Sequence, residues 1–200
     1  MKSVDDLIKK AIELKKRGLK TGEIADELNV SRETALWLIS KTREGDVISP
    51  PDIHISWNAI SSHSYRTRLL AKLLTDMLLE TVTEDIDCVV GIAVSGIPLA
   101  TMVAEELDCE LAVFHPKKVK WEPDETNVFG SFSENFASVS GKNCIIVDDV
   151  ISTGSTVKDL IGHITSSGGR VLATGVIVDK KGLTDIDGIP VKAMLSIIRL

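Results

Sequence analysis

The 200-residue sequence predicts an α/β fold, a doubly wound parallel sheet, preceded by a small all-α domain. Three observations carry that prediction. Apolar runs at 87–94, 109–114, 144–147, 170–178 and 189–197 have the length and composition of strands buried on both faces. Helical patterns alternate with several of these runs, and that alternation is how a parallel sheet with helices on its faces is written in sequence. The first 48 residues hold no such run and read instead as three short helices.

In chain order, residues 3–17 form an amphipathic helix that Ser3 can cap, with Val4, Leu7, Ile8, Ala11 and Ile12 on one face and Gly18 at its end. Thr21 caps a second helix with Ile24, Ala25 and Leu28 inward, and Asn29 suits the left-handed position that follows it. Ser31 caps a third, with Ala35, Leu38 and Ile39 inward. Trp37 is a packing residue or a dimer contact. Ser49-Pro50-Pro51 stops any helix, so residues 49–58 read as a linker between a domain at 1–48 and another at 59–200. A long amphipathic helix spans 61–83, its apolar side formed by Tyr65, Leu69, Leu70, Leu73, Met77 and Leu78. The strand at 87–94 runs into Ser95-Gly96-Ile97-Pro98 and a helix to Leu107. After the strand at 109–114 comes a long polar stretch, 116–142, of the kind that is functional or mobile inside a domain.

The most informative stretch is 144–156, C-I-I-V-D-D-V-I-S-T-G-S-T. A buried strand, 144–147, ends in Asp148 and Asp149. A small-residue loop follows, Ser152 to Thr156, and then a helix with Val157, Leu160, Ile161 and Ile164 on one side. Unpaired N–H groups and partial positive charge at a helix start attract phosphate. Gly154 lets the backbone approach an anion, and the hydroxyls add donors. The paired acids cannot neutralise phosphate, but they accept hydrogen bonds from sugar hydroxyls, so the stretch suits a ribose 5-phosphate group. No Lys follows Gly154, which excludes the nucleotide loop G-x-x-x-x-G-K-[ST].

This stretch resembles the signature of type I phosphoribosyltransferases, and the wider resemblance, over 57–200, is to the orotate-using members. It implies that Asp148 and Asp149 hold ribose hydroxyls and that Val150 and Ser152, Thr153, Gly154, Ser155 and Thr156 complete the 5-phosphate site. A-V-S-G-I-P-L-A at 93–100 resembles the pyrophosphate loop of the same family, adding Val94, Ser95 and Gly96 to the ligand residues and implying a cis peptide at Ala93–Val94 or Val94–Ser95. The orotate enzymes usually carry Lys where this chain has Ser95. Their catalytic loop aligns with F-H-P-K-K-V-K-W-E-P at 114–123; Lys117 and Lys120 match as phosphate-facing cations, while Pro116, Trp121 and Glu122 replace the family's Arg, Asp and His. No catalytic residue is therefore assigned. No cofactor is required and no metal ligand set is present; Mg2+ would accompany a bound pyrophosphate ligand.

The segment 21–39 resembles the helix-turn-helix of bacterial and archaeal regulators, which implies that Ser31, Arg32 and Thr34 face DNA and that Lys41 and Arg43 reach phosphate. The whole arrangement resembles the archaeal sugar-catabolism regulators. The expectation is a DNA-binding transcriptional regulator that senses a phosphorylated sugar such as phosphoribosyl pyrophosphate, acting on promoter DNA as a homodimer. The alternative is an active phosphoribosyltransferase of orotate or purine type with an N-terminal hood or dimerisation element.

Composition is consistent with either. Net charge is −6, and residues 1–48 hold ten Lys/Arg against nine Asp/Glu, so nucleic-acid contact must come from a local patch. No run of eighteen apolar residues and no apolar signal core occur, and the three cysteines, Cys88, Cys109 and Cys144, read as reduced thiols, so the expected location is cytoplasmic.

Overall fold

The computed structural model describes residues 4–40, 52–116 and 130–198. The chain divides into two units, residues 1–59 and 60–200.

The first unit is helical: α1 (Val4–Lys16), α2 (Thr21–Leu28) and α3 (Arg32–Ser40). Its core is Ala11, Leu14, Ile24, Ala25, Leu28, Val30, Ala35, Trp37 and Leu38. Trp37 thus packs inside the unit, which settles its role as a core residue. Gly18, at φ 92°, ends α1, and Asn29, at φ 52°, ends α2 by donating its N–H to the last carbonyls of that helix. The residue capping α2 is Lys20 rather than Thr21; its N–H donates to Glu23 Oε2 at 2.9 Å. The stretch at 52–55 is not a bare linker. Ser31 N–H donates to the Asp52 carboxylate, His54 Nδ1 lies 2.6 Å from the Leu28 carbonyl oxygen, and Asn29 Nδ2 donates to the Ile55 carbonyl at 3.4 Å. The stretch thus belongs with the first unit, which runs to residue 59.

One short helix, α4 (Asn58–Ser61), spans the division, and the second unit continues with α5 (Ser64–Leu79), β1 (Cys88–Ile92), α6 (Gly96–Leu107), β2 (Glu110–His115), β3 (Ser131–Phe132), β4 (Asn143–Ile151), α7 (Ser155–Ser166), β5 (Arg170–Asp179), β6 (Asp185–Ile186) and β7 (Ile189–Ser196). The strand order is β3-β2-β1-β4-β5-β7-β6. The five central strands pair in parallel, as expected, and the two-residue strands β3 and β6 add antiparallel edges that the sequence did not announce. The core contains Val90, Ile92, Phe114, Ile146, Leu160 and Ile164.

Two expectations need correction. On α5 the buried residues are Thr67, Ala71, Leu74, Thr75 and Leu78, whereas Tyr65 (71% exposed), Leu69 and Leu73 point outward. Two of the inward residues, Leu74 and Leu78, lie against the sheet at Gly175. Second, β4 does not stop at Val147. Its pairing with β1 ends there, but its pairing with the longer β5 continues to Ile151. Asp148 and Asp149 therefore lie within a strand that has a neighbour on one edge only.

Candidate functional site

Strand order reverses at β1 and β4, because β2 follows on one side of β1 and β5 on the other side of β4. The loops leaving the carboxyl ends of those two strands diverge, and a crevice opens between them, the usual place for a ligand in an open α/β sheet. The loop after β1 contains Ala93, Val94 and Ser95; the loop after β4 contains Ser152, Thr153 and Gly154. Sequence reasoning named both.

Asp149 is 3% exposed and Asp148 is half-buried. Asp148 Oδ1 accepts the Asp149 N–H at 2.9 Å, and Asp149 Oδ1 accepts the Val150 N–H at 2.9 Å. Ser95 Oγ donates to Asp149 Oδ1 at 2.9 Å, joining the loop after β1 to β4. Gly96 opens α6 against Asp148, so that a Cβ there would lie 2.9 Å from Asp148 Oδ1. The peptide between Ala93 and Val94 is cis, at the first of the two positions expected, and Val94 is 82% exposed.

In the loop after β4, Gly154 caps α7 at φ 83°, a conformation other residues adopt only with strain. Ser152, Thr153 and Ser155 are exposed, and Thr156 is half-buried. Thr153 Oγ1 and Ser155 Oγ lie 2.9 Å apart, and Ser155 N–H donates to Thr153 Oγ1 at 3.3 Å. The loop is thus folded on itself with its hydroxyls at the surface and the start of a twelve-residue helix behind them. An anion placed here meets hydroxyl donors and the positive end of α7.

A third loop, missed from sequence, walls this site. A Cβ on Gly154 would meet Leu183 Cδ1 and Ile186 Cδ1, each at 3.2 Å. The fully buried Asp179 at the end of β5 organises that loop by accepting the N–H groups of Lys181, at 2.7 Å, and of Leu183. Lys158 on α7 pairs with Asp187 at 2.8 Å beyond it. The available signal was Asp179 followed by Lys180-Lys181-Gly182, an acid at a strand end before a turn.

Among the described residues no group of three or more His, Cys, Asp and Glu is placed to hold a metal. Lys117 and Lys120 lie outside the described residues, as do Lys41 and Arg43. His163 packs its ring against Phe114, with centroids 5.3 Å apart.

The expected DNA-facing residues separate on α3. Arg32 is exposed, with Glu33 and Leu36 beside it. Thr34 is only 8% exposed and does not face outward; its Oγ1 lies 2.9 Å from Ser31 Oγ. Ser31 Oγ also accepts the Thr34 N–H at 3.2 Å, so it caps the helix as expected but spends its hydroxyl there. The reason is helical spacing: position 34 falls on the same inward face as Ala35 and Leu38.

Comparison with known proteins covers both units. The model of the phosphoribosyl transferase domain family matches residues 56–199. The transcriptional regulator GfcR of Archaeoglobus fulgidus is 50% identical over 200 residues, covering all of both chains. The transcriptional regulator GfcR of Haloferax volcanii is 46% identical, over all of this chain and 99% of that one. Among solved structures, the adenine phosphoribosyltransferase of Rhodothermus marinus superposes with a TM-score of 0.56 at 25% identity, covering 77% of this chain and 92% of that one. The orotate phosphoribosyltransferase of Mycobacterium tuberculosis in complex with 5-phospho-α-D-ribosyl 1-diphosphate gives 0.54 at 17% identity, over 71% of this chain and 80% of that one, and shares the fold.

Proposed function

Because the chain belongs to the family of GfcR transcriptional regulators and carries a phosphoribosyl transferase domain over residues 56–199, we propose that it is a DNA-binding regulator whose second unit senses a phosphorylated sugar. The observation that carries this reading is the end-to-end match to regulators: it includes the helical unit, which the transferase family model leaves out. Within that unit, the αL turn at Asn29 joins two short helices and leaves Arg32 exposed near the start of the second, as major-groove reading requires.

In the second unit, Asp148 and Asp149 take the sugar hydroxyls and Ser152 to Thr156 take the phosphate. Support comes from the crevice at the reversal of strand order and from the exposed hydroxyls ahead of α7. Catalysis is not part of the reading, since the loop at 116–122 lacks the family's Arg, Asp and His. The protein acts as a homodimer, and the outward Tyr65, Leu69 and Leu73 of α5 are consistent with a covered face.

The test is binding of the full chain to its own promoter region with and without ribose 5-phosphate or phosphoribosyl pyrophosphate, beside a transferase assay. Ligand should change DNA affinity about 5–150-fold, and operator DNA should change ligand affinity by the same factor. A shift under twofold at ligand saturation refutes the sensor. Turnover near one per second on orotate or a purine would establish the transferase reading instead. Asp148→Asn with Asp149→Asn should abolish most ligand affinity in a folded chain.

A further inference from the structure

We propose that Glu33 and Leu36 read bases beside Arg32: Leu36 takes the 5-methyl group of a thymine, and Glu33 accepts from the exocyclic amino group of a cytosine. The inference rests on the DNA-binding reading above and names the side chains that choose the sequence.

Helical spacing sorts the nine residues of α3 into two faces. Thr34, Ala35, Trp37 and Leu38 are buried, and Ile39 packs against the same core. Outward stand Arg32, Glu33, Leu36 and Ser40. Ser40 Oγ donates to the Trp37 carbonyl at 3.0 Å, so its hydroxyl hydrogen is used within the helix. Among the described residues Arg32 and Glu33 form no ion pair, and Leu36 is 52% exposed although its neighbours Ala35 and Trp37 are buried. The Ser31 cap and the buried Trp37 and Leu38 hold α3 against its core, so the stripe is carried on a fixed backbone. Each of its side chains matches one feature of a major groove. Arginine suits the paired acceptors of guanine. Leucine offers nothing to a phosphate or a polar base edge, but it covers a thymine methyl. A carboxylate is repelled by phosphate and gains only from a donor, which the cytosine amino group supplies. Arg32 and Glu33 cancel in charge, so the stripe adds little to sequence-independent attraction and contributes discrimination instead. Residues 32 and 36 are one turn apart, about 6 Å along the helix. That is about two base-pair steps, so the thymine should lie about two base pairs from the guanine.

The experiment selects duplexes from a random-sequence pool with the full-length chain, then reads binding of the enriched duplex by fluorescence anisotropy at fixed salt. Replacing a thymine by deoxyuridine removes only the 5-methyl group, and at one position it should weaken the parent about threefold to fourfold. Leu36→Ala should weaken the enriched duplex to a similar extent and be indifferent to that replacement, while Arg32→Ala keeps the sensitivity. Exchanging one C·G pair should cost the parent about fivefold or more. Glu33→Ala should reduce that preference to about twofold or less and bind unselected duplex more tightly, because a charge repelled by phosphate is gone. Both side chains are exposed and alanine favours a helix, so the variants should fold; if circular dichroism shows otherwise, Leu36→Ser or Glu33→Ser takes the place. No thymine at which the parent senses deoxyuridine, or a Leu36→Ala chain that keeps the sensitivity, overturns the role of Leu36. An unchanged preference at every C·G pair in Glu33→Ala overturns that of Glu33. No enriched duplex, with the folded chain at micromolar concentration, overturns the DNA-binding reading itself, and base reading falls with it.

Discussion

Gly96→Ala tests the contact between the two halves of the crevice. The added methyl would lie 2.9 Å from the Val147 carbonyl oxygen, 2.9 Å from Asp148 Oδ1 and 3.1 Å from Asp148 Cα. Carbon–oxygen approaches stop comfortably at about 3.3 Å, so β4 or α6 must give by about 0.4 Å. Val147 cannot move alone, because it is paired with Gly91 on one side and Gly175 on the other. The cost belongs at the upper end of overpacking, about 2–3 kcal/mol. In a domain of this size that lowers Tm by about 5–10 °C. Displacement of Asp148 should also weaken ribose 5-phosphate about tenfold, equivalent to about 1.4 kcal/mol. Thermal melts by circular dichroism and calorimetry on the same preparation read both effects. Gly162→Ala is the control: it lies in α7 with nothing within 4 Å of its Cβ position. It should stabilise by about 0.8–1 kcal/mol through helix propensity and raise Tm by about 2–4 °C. A Gly96→Ala chain that melts within 1 °C (about 0.3–0.5 kcal/mol) of the parent and binds sugar phosphate within twofold would refute the reasoning.

Other expectations follow from the same geometry. Arg32→Ala should weaken promoter binding at least fivefold and leave ligand affinity in the free protein unchanged, whereas Ser31→Ala should destabilise the helical unit by about 1 kcal/mol through loss of the α3 cap, read by denaturation. Asp179→Ala leaves the N–H groups of Lys181 and Leu183 without their acceptor and should cost about 1–3 kcal/mol in a urea melt, with Asp179→Asn recovering part of it. Burial pushes the Cys109 thiol up to about 11, so at pH 8 only about one part in a thousand is thiolate; reaction with a chromogenic disulfide should be slow in the native chain, rise about tenfold per pH unit until about pH 11, and reach all three cysteines only in denaturant. Rapid titration of native thiols at pH 8 would contradict this burial.

The strand, loop and helix at 144–156 were legible because they are local: thirteen consecutive residues state a strand, two acids, a hydroxyl loop and a helix, and each makes its own physical demand. The inward face of α2 was legible for the same reason, and that of α3 only in part, at Ala35 and Leu38. What failed depends on partners distant in sequence. The α5 face was misread because its exposed residues include large apolar ones, Tyr65, Leu69 and Leu73, while the buried face mixes Leu74 and Leu78 with the smaller Thr67, Ala71 and Thr75. The extent of β4 is set by β5, which no reading of β4 alone contains. The Ser95–Asp149 bond joins residues 54 apart, and the loop that Asp179 clamps likewise meets a residue outside its own stretch, Gly154. In the same way, 52–55 read as a linker because Pro50 and Pro51 precede it, while its partners sit at the end of α2 and in the α2–α3 turn.

Release of β4 from β1 beyond Val147 has a thermodynamic consequence. Beyond Val147, Asp148 and Asp149 each accept the next N–H group along the chain. Their rotamers are thereby held, and for Asp149 dehydration is nearly complete, in the folded chain itself. Ordering a rotamer-rich side chain on binding costs about 0.5–1.5 kcal/mol, and these two acids have met that cost during folding. On the proposed sugar-phosphate reading, association loses little entropy here, and differences in affinity among sugars will follow the stereochemistry of their hydroxyls, as they do for a rigid receptor.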